Sequence, residues 1–570
     1  MYCSIVLVFT IFLLGACTGS PASIDPDPTM LSMPMVDLGY ARYRASKYEE
    51  DGDYYIFSNI RYAAPPTGSR RFQLPEPPFD EDEVNDGSVG HACYQATNIQ
   101  FKWLDLLMTP DKQSEDCLFL DVYVPGWLVR DQMDVFQSSL ANVTIAMSPV
   151  KGSGSSKRLP VLTWVHGGGY TFGEKGGIHN PKGLIKIAEG RMVYVALNYR
   201  LGAFGFLAGE EINSKGATNA GYHDQRMAFE WINRHIDKFY GNPDDVTVMG
   251  ESAGASSLLH HLTAPEDVLF RRAILQSTAF YPQYDNDVLE AQYQKFASLA
   301  GCDCDDSFEC LMSADVADLA RANKDAVFDT LYGTFQFGPY VDGEFVPLLP
   351  ALRLAYGTYN RDVEIMAAYN IDEGFIFSDP TVVTPMQFDA LVHRHFPNAD
   401  EEDIEEVKHL YPGRDYLTYF SRVSSIIAEW IVECNSWFLE AAYPGAYLYR
   451  FAVHPGIHSA DIPLTFWGGD PVLEAAGRSL LLADNIEDLA MSFQSYLVSF
   501  AVSGDPNTYR LENNSMPTLY FPKSDEWRGI PMIDVNRRGF AYLSLQDDGP
   551  VEERCEFWQE GYWTGRYDPF

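Results

Sequence analysis

From Leu159 to Phe451, six short apolar runs rich in β-branched residues alternate with longer helical patterns: Val161 to Val165, Met192 to Leu197, Val246 to Met249, Ala273 to Leu275, Val363 to Ala368 and Ala446 to Phe451. Short runs without polar alternation are strands buried on both faces, and helices between them return the chain to the same edge. The pattern predicts an α/β fold with a large, mostly parallel sheet flanked by helices. The length of 570 residues would by itself allow several domains, but no linker-like stretch or internal repeat divides the chain. One elaborated domain over residues 21–570 is expected. Tyr54 to Phe57, just after Asp51-Gly52, reads as a hairpin strand, and Ser148 to Arg158 as a surface loop. Leu489, Phe493, Tyr496, Leu497 and Phe500 have the spacing of a core helix.

Gly250-Glu251-Ser252-Ala253-Gly254 follows the strand-like Val246 to Met249 and precedes Ala255 to Leu262, which can open a helix. A strand, sharp turn and helix around a central serine is the setting of a nucleophile elbow, in which flanking glycines avoid clashes with the neighbouring strand and helix. Upstream, His166-Gly167-Gly168-Gly169-Tyr170 directly follows the run Val161 to Val165. Consecutive glycines let backbone N–H groups approach a reacting carbonyl and bind its developing negative charge.

A serine hydroxyl needs a histidine to take its proton and a carboxylate to orient that histidine. In the chain order of such folds, serine then acid then histidine, the candidates after Ser252 are His260, His261, His393, His395, His409, His454 and His458. His260 and His261 sit on the helix after the serine and read as packing or surface residues. The loop after Ala446 to Phe451 suits both His454 and His458, and Asp372 and Glu373 both follow Val363 to Ala368. The residues alone leave both pairs open.

The formal net charge of −38 and the lack of a Lys/Arg cluster argue against a nucleic-acid partner. No His-Glu-x-x-His helix or Cys/His ligand cluster is present, so neither a metal nor another cofactor is expected. Residues 1–20 read as a secretory signal, with an apolar run Ile5 to Leu14 followed by small residues, and no later stretch reads as transmembrane. A lipoprotein reading of Leu14-Gly15-Ala16-Cys17 ranks second, because no basic residue precedes the run. Sequons at Asn142 and Asn513 fit the same extracellular route. Nine cysteines, two of them in the leader, leave an odd seven.

Further blocks lie in order along the chain: Ile60 to Pro66 with Arg71-Phe72, Ser114 to Val122, Asn198 to Gly202, Asp224-Gln225-Arg226 and Phe239 to Pro243. With the two glycine motifs, they make the sequence resemble the type-B carboxylesterase/cholinesterase family, with its secreted fungal esterases and lipases. The resemblance runs from about Tyr55 to near the C-terminus and implies the α/β-hydrolase fold. It implies a serine carboxylic-ester hydrolase acting on a small-molecule or lipid ester. The family's acid falls on Glu373, within Asn370-Ile371-Asp372-Glu373-Gly374, and its histidine on His458, within Gly456-Ile457-His458-Ser459-Ala460-Asp461. The oxyanion donors fall on the amides of Gly168, Gly169 and Ala253. The disulfides implied are Cys93 with Cys117, Cys302 with Cys310 and Cys434 with Cys555, leaving Cys304 over or exchanged with Cys302.

Two departures bear on substrate. Where cholinesterases hold a quaternary ammonium on a tryptophan, this chain has Leu107, and Trp103 lies elsewhere in a shorter loop, so choline esters are not expected. Gly333 and Phe335 fall where two aromatic residues narrow the acyl pocket of acetyl-specific relatives, which implies room for longer acyl groups. Alternative readings are a lipase or sterol esterase with an interfacial lid at Phe101 to Met108, and a catalytically silent binding module on the same fold. The oligomeric state is open.

Overall fold

The computed structural model describes residues 33–101, 112–130, 146–147, 158–279, 286–396, 399–481, 483, 485–512, 515–548 and 552–560. The leader, the sequons at Asn142 and Asn513, residues 102–108 of the lid segment with Trp103 and Leu107, and most of the loop from Ser148 lie outside these residues.

Among the described residues eleven strands form the central sheet: β1 (Lys47–Glu49), β2 (Tyr54–Arg61), β3 (Phe119–Pro125), β4 (Leu159–Val165), β5 (Val193–Leu197), β6 (Gly241–Glu251), β7 (Arg272–Gln276), β8 (Glu364–Asn370), β9 (Tyr447–Phe451), β10 (Pro531–Asn536) and β11 (Gly539–Ser544). Their spatial order is β1-β2-β3-β5-β4-β6-β7-β8-β9-β10-β11. The strands from β5 to β10 pair in parallel, while β1, β2 and β3 at one end and β11 at the other pair antiparallel to their neighbours. The expected hairpin around Asp51-Gly52 is β1-β2. A smaller sheet joins Met35–Asp37, Arg42–Arg44, Val84–Asn85 and Ala146–Met147.

Both faces of the parallel strands are covered. In β4, Val161, Leu162, Thr163, Trp164 and Val165 are all fully buried, which requires packing above and below. Leu162 and Trp164 share a core with Phe493, Tyr496, Leu497 and Phe500, the face of helix Ile486–Ser503 that the apolar spacing marks out. Burying side chains of this size contributes about 1.5–3 kcal/mol each.

The blocks that carry the family resemblance are largely scaffold. Arg200, in the loop after β5, meets Asp224 of helix α1 (Ala220–His235) through Nε and Nη2, both at 2.7 Å, fully out of solvent. Arg71 pairs with Glu115 in the same buried way and also donates to the Leu311 and Met312 carbonyls. Removing one member of such a pair strands a charge in the interior, at a cost of about 3–5 kcal/mol.

All three expected disulfides are present: Cys93–Cys117, Cys302–Cys310 and Cys434–Cys555. Among the described residues Cys304 is the free cysteine, and it is exposed; Cys302 is the partner of Cys310. Among the described residues no helix is long and apolar enough to cross a membrane.

Candidate active site

Ser252 stands between the end of β6 and the start of helix α2 (Ala253–Thr263), at φ 56° and ψ −124°. Side chains rarely adopt this backbone region, and the surroundings hold it there. The Ser252 amide donates to the Gln276 carbonyl at the end of β7 at 3.0 Å. A Cβ on Gly250 would lie 2.6 Å from the Gly254 carbonyl carbon, and one on Gly254 would lie 2.2 Å from the Val165 carbonyl oxygen. The two glycines therefore let helix, turn and β4 approach as the sequence reading requires.

The strands next along the sheet bring the partners. His458, after β9, has Nε2 2.8 Å from Ser252 Oγ and Nδ1 2.5 Å from Glu373 Oε2. Glu373, after β8, is completely buried. Its other oxygen accepts from the Asn370 backbone amide at 2.6 Å and from Asn370 Nδ2 at 3.3 Å. The ring of Phe377 packs edge-on to His458, centroids 4.9 Å apart.

The alternatives left open by the sequence separate here. His454 is exposed, and Asp372 pairs through its backbone, its amide donating to the Gly456 carbonyl at 2.8 Å. This pairing places His458 and Glu373 on the inner side of the two loops. His260 and His261 are packing residues: His260 shares a hydrogen bond with the Tyr222 hydroxyl at 3.0 Å, and His261 with Gln225 at 3.1 Å.

The glycine loop after β4 lies against the serine turn. A Cβ on Gly167 would fall 2.5 Å from the Glu251 carbonyl oxygen and 3.1 Å from Ser252 Cβ. Gly168 and Gly169 have φ of 108° and 57°, and Ala253 opens helix α2, whose first amides have no partner one turn back. The space a side chain on Gly169 would take is filled by the Phe335 ring, at 2.3 Å. Phe101 stacks on Phe335 with centroids 5.9 Å apart and meets Phe172 and Phe377 at 6.2 Å each, forming an aromatic wall. Gly333 has another place. A side chain there would meet the Phe377 carbonyl at 2.0 Å, so the glycine lets the two chains approach closely.

Around the histidine lie further buried carboxylates that the sequence reading did not assign. Glu251 Oε1 is 3.5 Å from His458 Nε2 and accepts from Ser459 Oγ at 2.5 Å. Asp461 accepts from Gln276 Nε2 at 2.9 Å and, at 3.4 Å, from the Tyr449 hydroxyl. Burial pushes Glu251 up to about 7 and, with the Glu373 charge, Asp461 up to about 6. Burial alone would lower the proton affinity of His458, but the Glu373 and Glu251 charges outweigh it and raise that affinity. Glu251 and Asp461 lie inside the motifs already quoted, and their position beside Ser252 and His458 was the available signal.

The sheet order, the serine turn between a parallel strand and a helix, and the acid and histidine on neighbouring strands define an enzyme of the α/β-hydrolase fold. The crystal structure of EstA from Aspergillus niger superposes with a TM-score of 0.76 at 25% identity, covering 94% of this chain and 99% of that one. The Carboxylesterase family model matches residues 34–558. The chain belongs to that family and is a carboxylic ester hydrolase. It is 33% identical over 580 residues to the Carboxylesterase patB of Aspergillus clavatus, covering 93% of this chain and 96% of that protein. It is 28% identical over 550 residues to the Secreted lipase of Arthroderma benhamiae, covering 93% and 92%.

Proposed function

We propose that the protein hydrolyses carboxylic esters through an acyl-enzyme on Ser252. The observation that carries this reading is the unbroken line from Ser252 Oγ through His458 to the buried Glu373 carboxylate, at 2.8 and 2.5 Å. His458 takes the hydroxyl proton as Ser252 attacks the ester carbonyl, and Glu373 fixes the tautomer and stabilises the imidazolium. The amides of Gly168, Gly169 and Ala253 bind the oxyanion. The imidazolium then protonates the departing alcohol. Water, deprotonated in turn by His458, attacks the acyl-serine and releases the acid. The acyl group rests on Phe335, beside Gly169.

Secretion after removal of residues 1–20 belongs to the same proposal. Three disulfides support it, as these persist in oxidising compartments. So does the name of the Arthroderma benhamiae relative, Secreted lipase.

The test is Ser252→Ala, which is expected to fold normally and to lose turnover by orders of magnitude. A labelled phosphonate is expected to attach to Ser252. Substantial esterase activity in the variant, or label on another residue, overturns the mechanism.

A further inference from the structure

Ser459 follows His458 directly and adopts φ 65°, the left-handed region in which glycine is unstrained and other residues are uncommon. Its hydroxyl is the group that a glycine would lack. That hydroxyl donates to Glu251 Oε1 at 2.5 Å, and the same oxygen lies 3.5 Å from His458 Nε2. One carboxylate oxygen is thus held between the hydroxyl and the imidazole, on the side of the ring that faces Ser252. Gly167 closes the other side of the carboxylate, where a Cβ would come within 3.1 Å of Glu251 Oε2.

We propose that Ser459 is a positioning residue for ester hydrolysis, its hydroxyl holding Glu251 ionised and aimed at His458 so that the carboxylate stabilises the imidazolium. The inference rests on the catalytic reading given above. A hydroxyl in this place donates to the anion, which favours the charged form over the neutral acid. The charged groups facing Glu251 are His458, which favours its ionisation, and Asp461 and Glu373, which oppose it; burial opposes it most. The hydroxyl therefore matters most near neutrality, where the balance between the two forms is close.

The experiment measures kcat and kcat/KM from about pH 6 to about pH 9 for wild type, Ser459→Ala and Ser459→Gly, and for Ser459→Gly in a Glu251→Gln background. Glycine suits the backbone, so Ser459→Gly reports on the hydroxyl without added strain. Both single variants are expected to lose about five- to tenfold in kcat near neutral pH. The loss is expected to close toward alkaline pH, where Glu251 is ionised with or without its donor. In the Glu251→Gln background, Ser459→Gly is expected to cause no pH-dependent change. A wild-type profile in Ser459→Gly overturns the proposal, as does a loss by the same factor at every pH. Ser252→Ala in the same assay separates the two readings: activity there defeats the catalytic reading itself, whatever Ser459 does.

Discussion

The backbone amide of Asn370 donates to Glu373 Oε1 at 2.6 Å, while Asn370 Nδ2 reaches Ser277 Oγ, just past the end of β7, at 2.8 Å. The acid is thereby tied to its own strand and to the strand beside it, with its second oxygen left for His458. Glu373→Gln keeps the shape but can present its amide N–H to Nδ1, which favours the wrong tautomer. The expected loss in kcat is about 10³- to 10⁴-fold with little change in stability. A loss below tenfold would remove Glu373 from the mechanism.

The pH profile should move in a set direction when Glu251 loses its charge. In the proposed mechanism His458 must be neutral to act, so kcat/KM is expected to fall as pH drops through the histidine's pKa. The Glu373 and Glu251 charges raise that pKa against the effect of burial. Glu251→Gln removes one raising influence, so the acid limb is expected to shift to lower pH while the plateau rate falls. A profile displaced to higher pH contradicts this assignment.

Phe335 fills the space beside Gly169, and in the proposed mechanism its size limits the acyl side. Phe335→Ala is expected to raise the kcat/KM ratio of octanoate over acetate nitrophenyl esters by about tenfold. An unchanged ratio would mean that the acyl chain leaves by another path.

The three disulfides close loops of very different length, with sequence separations of 121, 24 and 8. On chain entropy alone, Cys434–Cys555, Cys93–Cys117 and Cys302–Cys310 contribute about 5, 3.5 and 2.5 kcal/mol. The first also pins helix Glu552–Glu560, where Arg554 pairs with Glu429 and Trp558 donates to the Tyr411 hydroxyl. Denaturant unfolding of paired Cys→Ser variants should rank them in that order. Equal losses would show that native contacts, not loop closure, set the effect.

Much of the scaffold could be read from the chain because the buried parallel strands are short and uniformly apolar, so all six runs between Leu159 and Phe451 became strands. β3 and the β10-β11 hairpin lack that texture: Asp121 interrupts the first, and Asp534, Asn536, Arg537 and Arg538 mark the second as a sheet edge. The serine turn and the glycine loop were legible because the backbone there demands glycine. His458 and Glu373 were not separable from His454 and Asp372 by pattern, since each pair shares a loop. What distinguishes them is the pairing of Asp372 with the chain around Ile457, a long-range contact without a local signature. At Gly333 the sequence shows a missing side chain but not what its place faces, which is the carbonyl of Phe377.

Ser252 and His458 are 206 residues apart and meet only across β6, β7, β8 and β9. No proteolytic fragment or partly assembled intermediate lacking one of those strands can hold both, so recovery of turnover during refolding times the completion of the sheet's centre. A simple colorimetric rate would then serve as a clock for assembly, without any spectroscopic probe.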